Sequence, residues 1–128
     1  MATVRLDQKS RAIVRSISNS YTSAIAKFFG SGPTEIELAR AQHGAYVAAM
    51  ESNGVQVTTI AADHNHPDCV FVEDQAVVID GHVLLPVPGH ESRRGEQPPI
   101  ANFLSSVLHG HQICKMVPPA MMDGGDIL

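Results

Sequence analysis

Three acidic residues surround a short apolar run near the middle of the chain. Asp68 precedes the apolar residues 70–72, and Glu73 and Asp74 follow them directly. Burying carboxylates without partners costs on the order of several kcal/mol, so such a cluster indicates a site for a cation. A guanidinium, which is planar and forked, matches paired carboxylates best. The alternative is an acidic turn exposed to solvent, and the residue types alone leave both interpretations open.

The elements that must position these acids are predicted from apolar periodicity. Residues 70–72 have the pattern of a short strand, and residues 76–79 have the pattern of another. Asp80-Gly81 predicts a two-residue hairpin turn into a strand over residues 82–87. Further strands are predicted over residues 12–15, 55–60 and 112–117, and helices over residues 35–53 and 98–108.

The two predicted helices differ in the face that they present to a sheet. On the first helix, small residues recur at helical spacing and form a narrow face that can lie close to a sheet: Leu38, Ala41, Ala45, Ala48 and Ala49. On the second helix, larger apolar residues form the predicted buried face: Ile100, Phe103, Leu104 and Leu108. Alternation of strands with these helices predicts a mixed α/β fold.

The composition predicts one soluble, globular domain. The chain has 128 residues, of which 44% are hydrophobic and 17% charged, enough for one modest core. A net charge of -4 without a basic run argues against a nucleic-acid partner. No apolar run reaches membrane-spanning length and no signal pattern opens the sequence, so we expect a cytoplasmic protein. Cys69 and Cys114 are too few for a disulfide framework and are expected on strands in the core.

Two histidines lie beside an aspartate in the loop before the acidic segment. Asp63, His64 and His66 could contribute to a metal site, but the sequence offers no second cluster to complete a coordination shell. We therefore expect neither a metal nor another cofactor, and we interpret these residues as a loop that leads into the acidic segment.

The order of the motifs resembles that of one known family. PDCVFVED (67–74) is followed by Pro-Gly (88–89), ESRRGE (91–96) and DGGD (123–126). This series is similar to the dimethylarginine dimethylaminohydrolases of the pentein superfamily. The resemblance covers about residues 13–128 and is strongest over residues 67–96. It implies a hydrolase that converts N-methylated arginine, a small guanidine, to citrulline and methylamine or dimethylamine.

The resemblance implies substrate-binding roles for four residues of these motifs. Asp74 would bind the guanidinium nitrogens, and Glu73 would support it. Asp68 would contact the amino-acid end of the substrate. Arg93 would clamp the substrate carboxylate, a task suited to a bidentate guanidinium.

Two further positions match residues of the family. Ile25 lies in the loop over residues 16–32, which resembles a flap over the active site, and it would contribute a backbone contact to the substrate. Asp123 matches the acid that orients a catalytic histidine, whereas Asp126 is interpreted as structural. The family's catalytic histidine and cysteine lie in its C-terminal half. We therefore expect residues 1–128 to be the N-terminal part of a pentein-type domain, inactive by itself.

The element order contains a repeat. A helix, a strand, a loop with acids and an apolar run occur over residues 35–79 and again over residues 98–128. With the resemblance, this implies an incomplete pentein α/β-propeller of about two strand-strand-helix-strand modules, with a third beginning at Ile127 and Leu128. Open strand edges, at residues 83–87 or 127–128, would favour a homo-oligomer.

Three functional interpretations follow. The first is the N-terminal fragment of a dimethylargininase-type hydrolase. A fragment of an arginine deiminase-type enzyme is the alternative within the same superfamily. The third is a non-catalytic, pentein-like module that binds an arginine-like molecule or a protein partner.

Overall fold

A computed structural model describes residues 10–25 and 35–127. Within these ranges the regular elements are β1 (Arg11–Arg15), α1 (Ile36–Ser52), β2 (Gln56–Ile60), β3 (Val77–Ile79), β4 (His82–Leu85), α2 (Gln97–Val107) and β5 (Gln112–Lys115). Short 3-10 helices lie between them. Three of these carry the motifs and are named here the acidic turn (Val72–Gln75), the arginine turn (Glu91–Glu96) and the glycine turn (Gly124–Asp126).

A pair of parallel strands forms the first sheet. β1 and β2 align from Arg11 opposite Gln56 to Arg15 opposite Ile60, and α1 makes the crossover between them. Both strands occur within one residue of the predicted ranges, 12–15 and 55–60, and α1 occupies most of the predicted helix. Arg15 then links this sheet to the arginine turn, since its Nη1 donates to the Glu96 carbonyl at 3.4 Å.

The second sheet contains three strands in the order β3-β4-β5. β3 and β4 form the predicted hairpin, and Asp80 and Gly81 at its tip have φ of 44° and 77°. Both values are positive, as a type I′ turn requires. β5 returns through α2 to pair in parallel with β4. Residues 77–115 therefore form one strand-strand-helix-strand unit, whose bounds differ from those of the predicted repeat, and residues 11–60 show a strand-helix-strand unit.

The core lies between α2 and the second sheet. Val83 and Leu85 of β4 pack with Ile100 and Leu104 of α2, and none of the four is more than 2% exposed. Burial of each such side chain contributes about 1.5–3 kcal/mol. The predicted inner face of α2 is confirmed, with Ile100 and Leu104 at its centre.

The predicted inner face of α1 is wrong. The small residues assigned to it are exposed: Leu38, Ala41, Ala45, Ala48 and Ala49. The half-buried face instead carries Ile36, His43, Val47 and Met50, which also recur at helical spacing. The larger side chains face inward because they bury more apolar surface than alanines can.

The strand predicted over residues 70–72 is also wrong. This segment coils into a turn that continues into the acidic turn, and its N–H groups bond locally, from Phe71 to Asp68 at 3.0 Å and from Val72 to Val70 at 3.0 Å. Its valines favour a strand only where a ladder partner is present. Here the carbonyls of Asp68 and Phe71 converge on the guanidinium of Arg93 instead.

Two smaller expectations need correction. Residues 83–87 do not form a sheet edge, because β4 is the central strand of its sheet and is paired on both sides. Cys69 is buried as expected, but it lies in the turn before the acidic turn and not on a strand, whereas Cys114 lies on β5. A third module at Ile127 and Leu128 falls where the described residues end.

Neither helix in the described part of the chain is long and apolar enough to cross a membrane.

Candidate functional site

Arg93 is the centre of the polar network that holds the three turns together. It is 8% exposed, and its Nη1 donates to Asp74. Its Nη2 donates to the carbonyls of Asp68, at 3.2 Å, and Phe71, at 3.0 Å. The guanidinium therefore fixes both ends of the segment between Asp68 and the acidic turn.

Glu96 is the second partner of this arginine. Its Oε2 lies 2.9 Å from Nη2 of Arg93 and its side chain is 1% exposed. Gln75 also donates to this oxygen, at 2.9 Å. Burial lowers the pKa of Arg93, but hydrogen bonds with the carboxylates of Glu96 and Asp74 outweigh it and raise the pKa above its ordinary value. The spacing of Arg93 and Glu96 places both on one side of a single helical turn.

Asp74 is held at both carboxylate oxygens. Oδ2 accepts from Arg93, and Oδ1 accepts from the backbone N–H of Gly125 at 3.1 Å. Each carboxylate oxygen can accept more than one hydrogen bond, so the carboxylate can still accept from a ligand. Its position is fixed by the other two turns before any ligand arrives.

The glycine turn packs directly on the acidic turn. A Cβ at Gly124 would lie well under 3.0 Å from the backbone carbonyl oxygen of Glu73, and a Cβ at Gly125 would lie 2.5 Å from Oδ1 of Asp74. Only glycine allows this approach of two backbones. The close packing of the two turns therefore requires glycine at both positions between Asp123 and Asp126.

Asp123 ties the glycine turn to the start of the arginine turn. Its Oδ1 accepts from the backbone N–H of Gly89 at 3.2 Å. The side chain is half-buried and lies among the residues of the acidic cavity described below. The second acidic motif is thus brought beside the first, although 49 positions separate Asp74 and Asp123 along the chain (123 minus 74).

Asp68 holds the middle of the predicted flap at Ile25. Its Oδ1 accepts from the backbone N–H of Ile25 at 2.9 Å. The same segments are also in contact through the rings of Tyr21 and Phe71, whose centroids lie 6.4 Å apart. Residues 26–32 of the predicted flap lie outside the described residues. The predicted site residues Ile25 and Asp68 are thus brought together beside the acidic cavity.

These contacts surround an open cavity of about 380 Å³, named here the acidic cavity. The residues that line it are Ile25, Asp68, Phe71, Asp74, His90, Arg93, Asp123 and Asp126. Four of these eight residues are aspartates, and two, His90 and Arg93, are basic. Such a cavity can receive a cation of arginine size, with Phe71 as an apolar wall.

Five of the six predicted site residues line the acidic cavity, and Glu73 does not. Glu73 lies on the rim of a neighbouring, mainly apolar cavity of about 540 Å³, next to Val70, Val72 and His43. Its contribution to the acidic cavity comes through its backbone, which is in contact with Gly124.

The loop with two histidines supports the site from outside. Nδ1 of His66 lies 2.8 Å from Oδ2 of Asp63, and the ring packs against Gly95 of the arginine turn. His64 accepts the backbone N–H of Asn19 at 3.1 Å. The hydrogen bond from the Asn65 N–H lowers the pKa of Asp63, burial opposes this shift, and His66 reinforces it. These contacts fit the interpretation of the loop as a lead into the acidic segment.

The two thiols lie away from the cavity. Cys69 is 1% exposed, and burial raises the pKa of its thiol. Its Sγ accepts from the backbone N–H of Asp63 at 3.4 Å. Cys114 lies on β5. Neither is among the residues that line the acidic cavity, and a thiol with a raised pKa is a poor nucleophile.

Sequence reasoning missed three contributors to the site. Glu96 was quoted as part of the ESRRGE motif but was given no role. An arginine and a glutamate three positions apart could have indicated a buried ion pair. The Gly-Gly pair could have indicated a close backbone approach. His90 gave no signal, because its place in the cavity depends on the packing of Gly89 against Asp123.

The chain is similar to curated proteins over most of its length. A curated relative from Aeropyrum pernix, an uncharacterized protein, is 34% identical over 120 residues, which are 92% of this chain and 42% of the relative. The N(G),N(G)-dimethylarginine dimethylaminohydrolase of Pseudomonas aeruginosa is 30% identical over 119 residues, 93% of this chain and 44% of that protein. The chain thus spans less than half the length of these two relatives.

Solved structures show the same fold. A variant of the Pseudomonas aeruginosa enzyme in complex with citrulline matches with a TM-score of 0.87 and 28% identity over 93% of this chain and 46% of that chain. A dimethylarginine dimethylaminohydrolase adduct with S-methyl-L-thiocitrulline also gives a TM-score of 0.87, at 28% identity. The fold and its cluster of carboxylates place the chain in the class of pentein-type guanidine-modifying proteins.

The sequence identifies one family within this class. Residues 8–118 match the family of eukaryotic N,N-dimethylarginine dimethylhydrolases. The chain belongs to this family.

Proposed function

We propose that this chain is the substrate-binding part of a hydrolase that converts N-methylated arginine to citrulline and methylamine or dimethylamine. The observation that carries the proposal is the convergence of Asp68 and Asp74, from one segment, and Asp123, from a segment 49 positions beyond Asp74, on one cavity. Citrulline and S-methyl-L-thiocitrulline, which solved relatives hold, share the amino-acid backbone of such a substrate.

In this proposal Asp74 binds the guanidinium nitrogens. Its carboxylate is fixed by Arg93 and Gly125, so little reorganisation is needed when a ligand arrives. Asp68 binds the amino end from beside Ile25, whose backbone carries the flap. Glu73 acts through its backbone, which supports the glycine turn.

We assign Arg93 a role beyond the one that the resemblance implies, which is to clamp the substrate carboxylate. Most of its donors already face Asp74, Glu96 and two carbonyls, so its main contribution in this proposal is to position Asp74. Contact with a substrate carboxylate would come from the part of its guanidinium that faces the cavity.

Hydrolysis of a guanidine also needs a nucleophile and a general acid-base group. Neither thiol lines the acidic cavity, so we propose that the chain alone binds the substrate without turning it over. Asp123 would orient a histidine supplied from outside residues 1–128. The two α/β units would be successive modules of a pentein propeller in a cytoplasmic protein, whose open edges at β3 or β5 could join a second chain.

Calorimetric titration of the 128-residue chain tests the proposal. Dimethylarginine should bind, whereas lysine, which has a cationic side chain but no guanidine, should bind at least about tenfold more weakly, because an ammonium lacks the planar fork. Equal binding of the two compounds would show that the site selects charge and not the guanidine.

A further inference from the structure

His90 lies in the acidic cavity and has no part in the function proposed above. It directly precedes the arginine turn and lines the cavity together with Asp74, Arg93 and Asp123. The backbone at this point is fixed, because the neighbouring Gly89 donates to Asp123 at 3.2 Å. His90 is therefore held beside the residues that the proposal assigns to the substrate.

Ser92 orients the imidazole. Nδ1 of His90 lies 2.7 Å from the Ser92 hydroxyl and accepts the Ser92 backbone N–H at 3.4 Å. A backbone N–H can only donate, so Nδ1 must be the acceptor, and in the neutral ring the proton then lies on Nε2. Among the described residues, Nε2 has no hydrogen-bond partner. The ring thus offers one N–H donor.

The cavity is short of donors for an anion. Asp68, Asp74, Asp123 and Asp126 supply only acceptors when they are ionised. Arg93, the other basic residue of the lining, is engaged by Asp74, Glu96 and backbone carbonyls. An arginine-like ligand has two cationic groups, which suit the aspartates, and one carboxylate, which they would repel.

We propose that His90 is a further substrate-binding residue, which donates from Nε2 to the carboxylate of an arginine-like amino acid. This inference rests on the function proposed above and adds, beside the part of Arg93 that faces the cavity, a second donor for the ligand carboxylate. A hydrogen bond from a neutral imidazole to a carboxylate is charge-assisted and is stronger than one between neutral groups.

The test compares L-arginine with agmatine, which has the same guanidine but no carboxylate. The 128-residue chain should bind L-arginine more tightly than agmatine. His90→Ala should weaken L-arginine binding about tenfold or more, as expected for a hydrogen bond to a charged group, and should leave agmatine binding within about twofold. His90→Gln, which keeps an N–H donor of similar reach, should restore part of the loss.

A measurement on the unsubstituted chain does not depend on the folding of a variant. Long-range ¹H–¹⁵N spectra should show His90 protonated at Nε2, and L-arginine, but not agmatine, should shift this nitrogen. The opposite tautomer, or equal shifts with both compounds, would refute the inference.

The two proposals can fail separately. Suppose that Asp74→Asn no longer binds either compound, whereas His90→Ala binds both L-arginine and agmatine as tightly as the unsubstituted chain does. The His90 inference is then wrong and the proposed function stands. If neither compound binds the unsubstituted chain, both are wrong.

Discussion

Replacement of Gly124 by alanine should break the contact on which the site depends. The glycine turn approaches the acidic turn so closely that a Cβ at Gly124 would overlap the carbonyl oxygen of Glu73. This oxygen belongs to the backbone and cannot rotate away as a flexible side chain could. The glycine turn would have to move outward, and the N–H of Gly125 would move away from Asp74.

The size of the effect follows from these two contacts. Overpacking of a tight contact costs about 1–3 kcal/mol, and loss of a hydrogen bond to a charged group costs about 1.5–3 kcal/mol. Because one outward shift relieves the overlap and breaks the bond, the two costs do not add fully. We expect Gly124→Ala to lower the free energy of unfolding by about 2–4 kcal/mol.

Urea unfolding followed by circular dichroism measures this change. Gly44→Ala is a matched control, because a Cβ at this position of α1 would meet nothing within 4 Å. The control should raise the free energy of unfolding by about 0.5–1 kcal/mol, since alanine favours a helix over glycine. If Gly124→Ala unfolds within about 0.5 kcal/mol of the unsubstituted chain, the close packing of the two turns is refuted.

Three further predictions concern charge and catalysis. Arg93→Ala should lower the free energy of unfolding by about 3–5 kcal/mol, because it leaves the buried Glu96 without its guanidinium. The exposed Arg94→Ala should change it by less than about 0.5 kcal/mol in the same urea titration. Hydrogen bonding holds the pKa of Asp63 below its ordinary value of 3.8, so its carboxylate stabilises the fold above that pH and ceases to do so as the pH falls through the folded-state pKa. The difference in unfolding free energy between the chain and Asp63→Asn should therefore shrink on acidification below about pH 4. Finally, the isolated chain should form no citrulline from dimethylarginine, and citrulline formation that Asp74→Ala abolishes would contradict this.

Local patterns were enough to predict most of the regular elements. The hairpin at Asp80 and Gly81, the strands β1 and β2 and the buried face of α2 depend on short-range alternation, on turn chemistry or on helical period. These signals are contained within a few neighbouring residues, so one sequence contains them completely.

The site itself depends on contacts between distant residues. Residues 70–72 include the valines of a strand, but the carbonyls of Phe71 and of the preceding Asp68 bind Arg93, more than 20 positions later. The face of α1 was assigned from spacing alone, although two sets of residues on this helix share a helical period. Only the packing against the first sheet decides which set is buried.

The motif match supplied what spacing could not. It named six residues of one site: Ile25, Asp68, Glu73, Asp74, Arg93 and Asp123. All of them except Glu73 line the acidic cavity. Their roles toward a substrate remain predictions.

The central claim is that Asp74 binds the guanidinium of an arginine-like ligand. A ligand that binds only the folded chain stabilises it by about 2.7 kcal/mol at one hundred times its dissociation constant. Thermal melts with and without dimethylarginine measure this stabilisation in the chain, in Asp74→Asn and in Glu91→Gln, an exposed acid outside the cavity lining.

The comparison uses the ligand-induced shift within each variant, because Asp74→Asn also weakens the contact with Arg93 and so lowers the baseline stability. We predict a full shift in the chain and in Glu91→Gln, and a shift in Asp74→Asn that is small at the same ligand concentration. An equal shift in all three would contradict the assignment of Asp74 as the residue that binds the guanidinium.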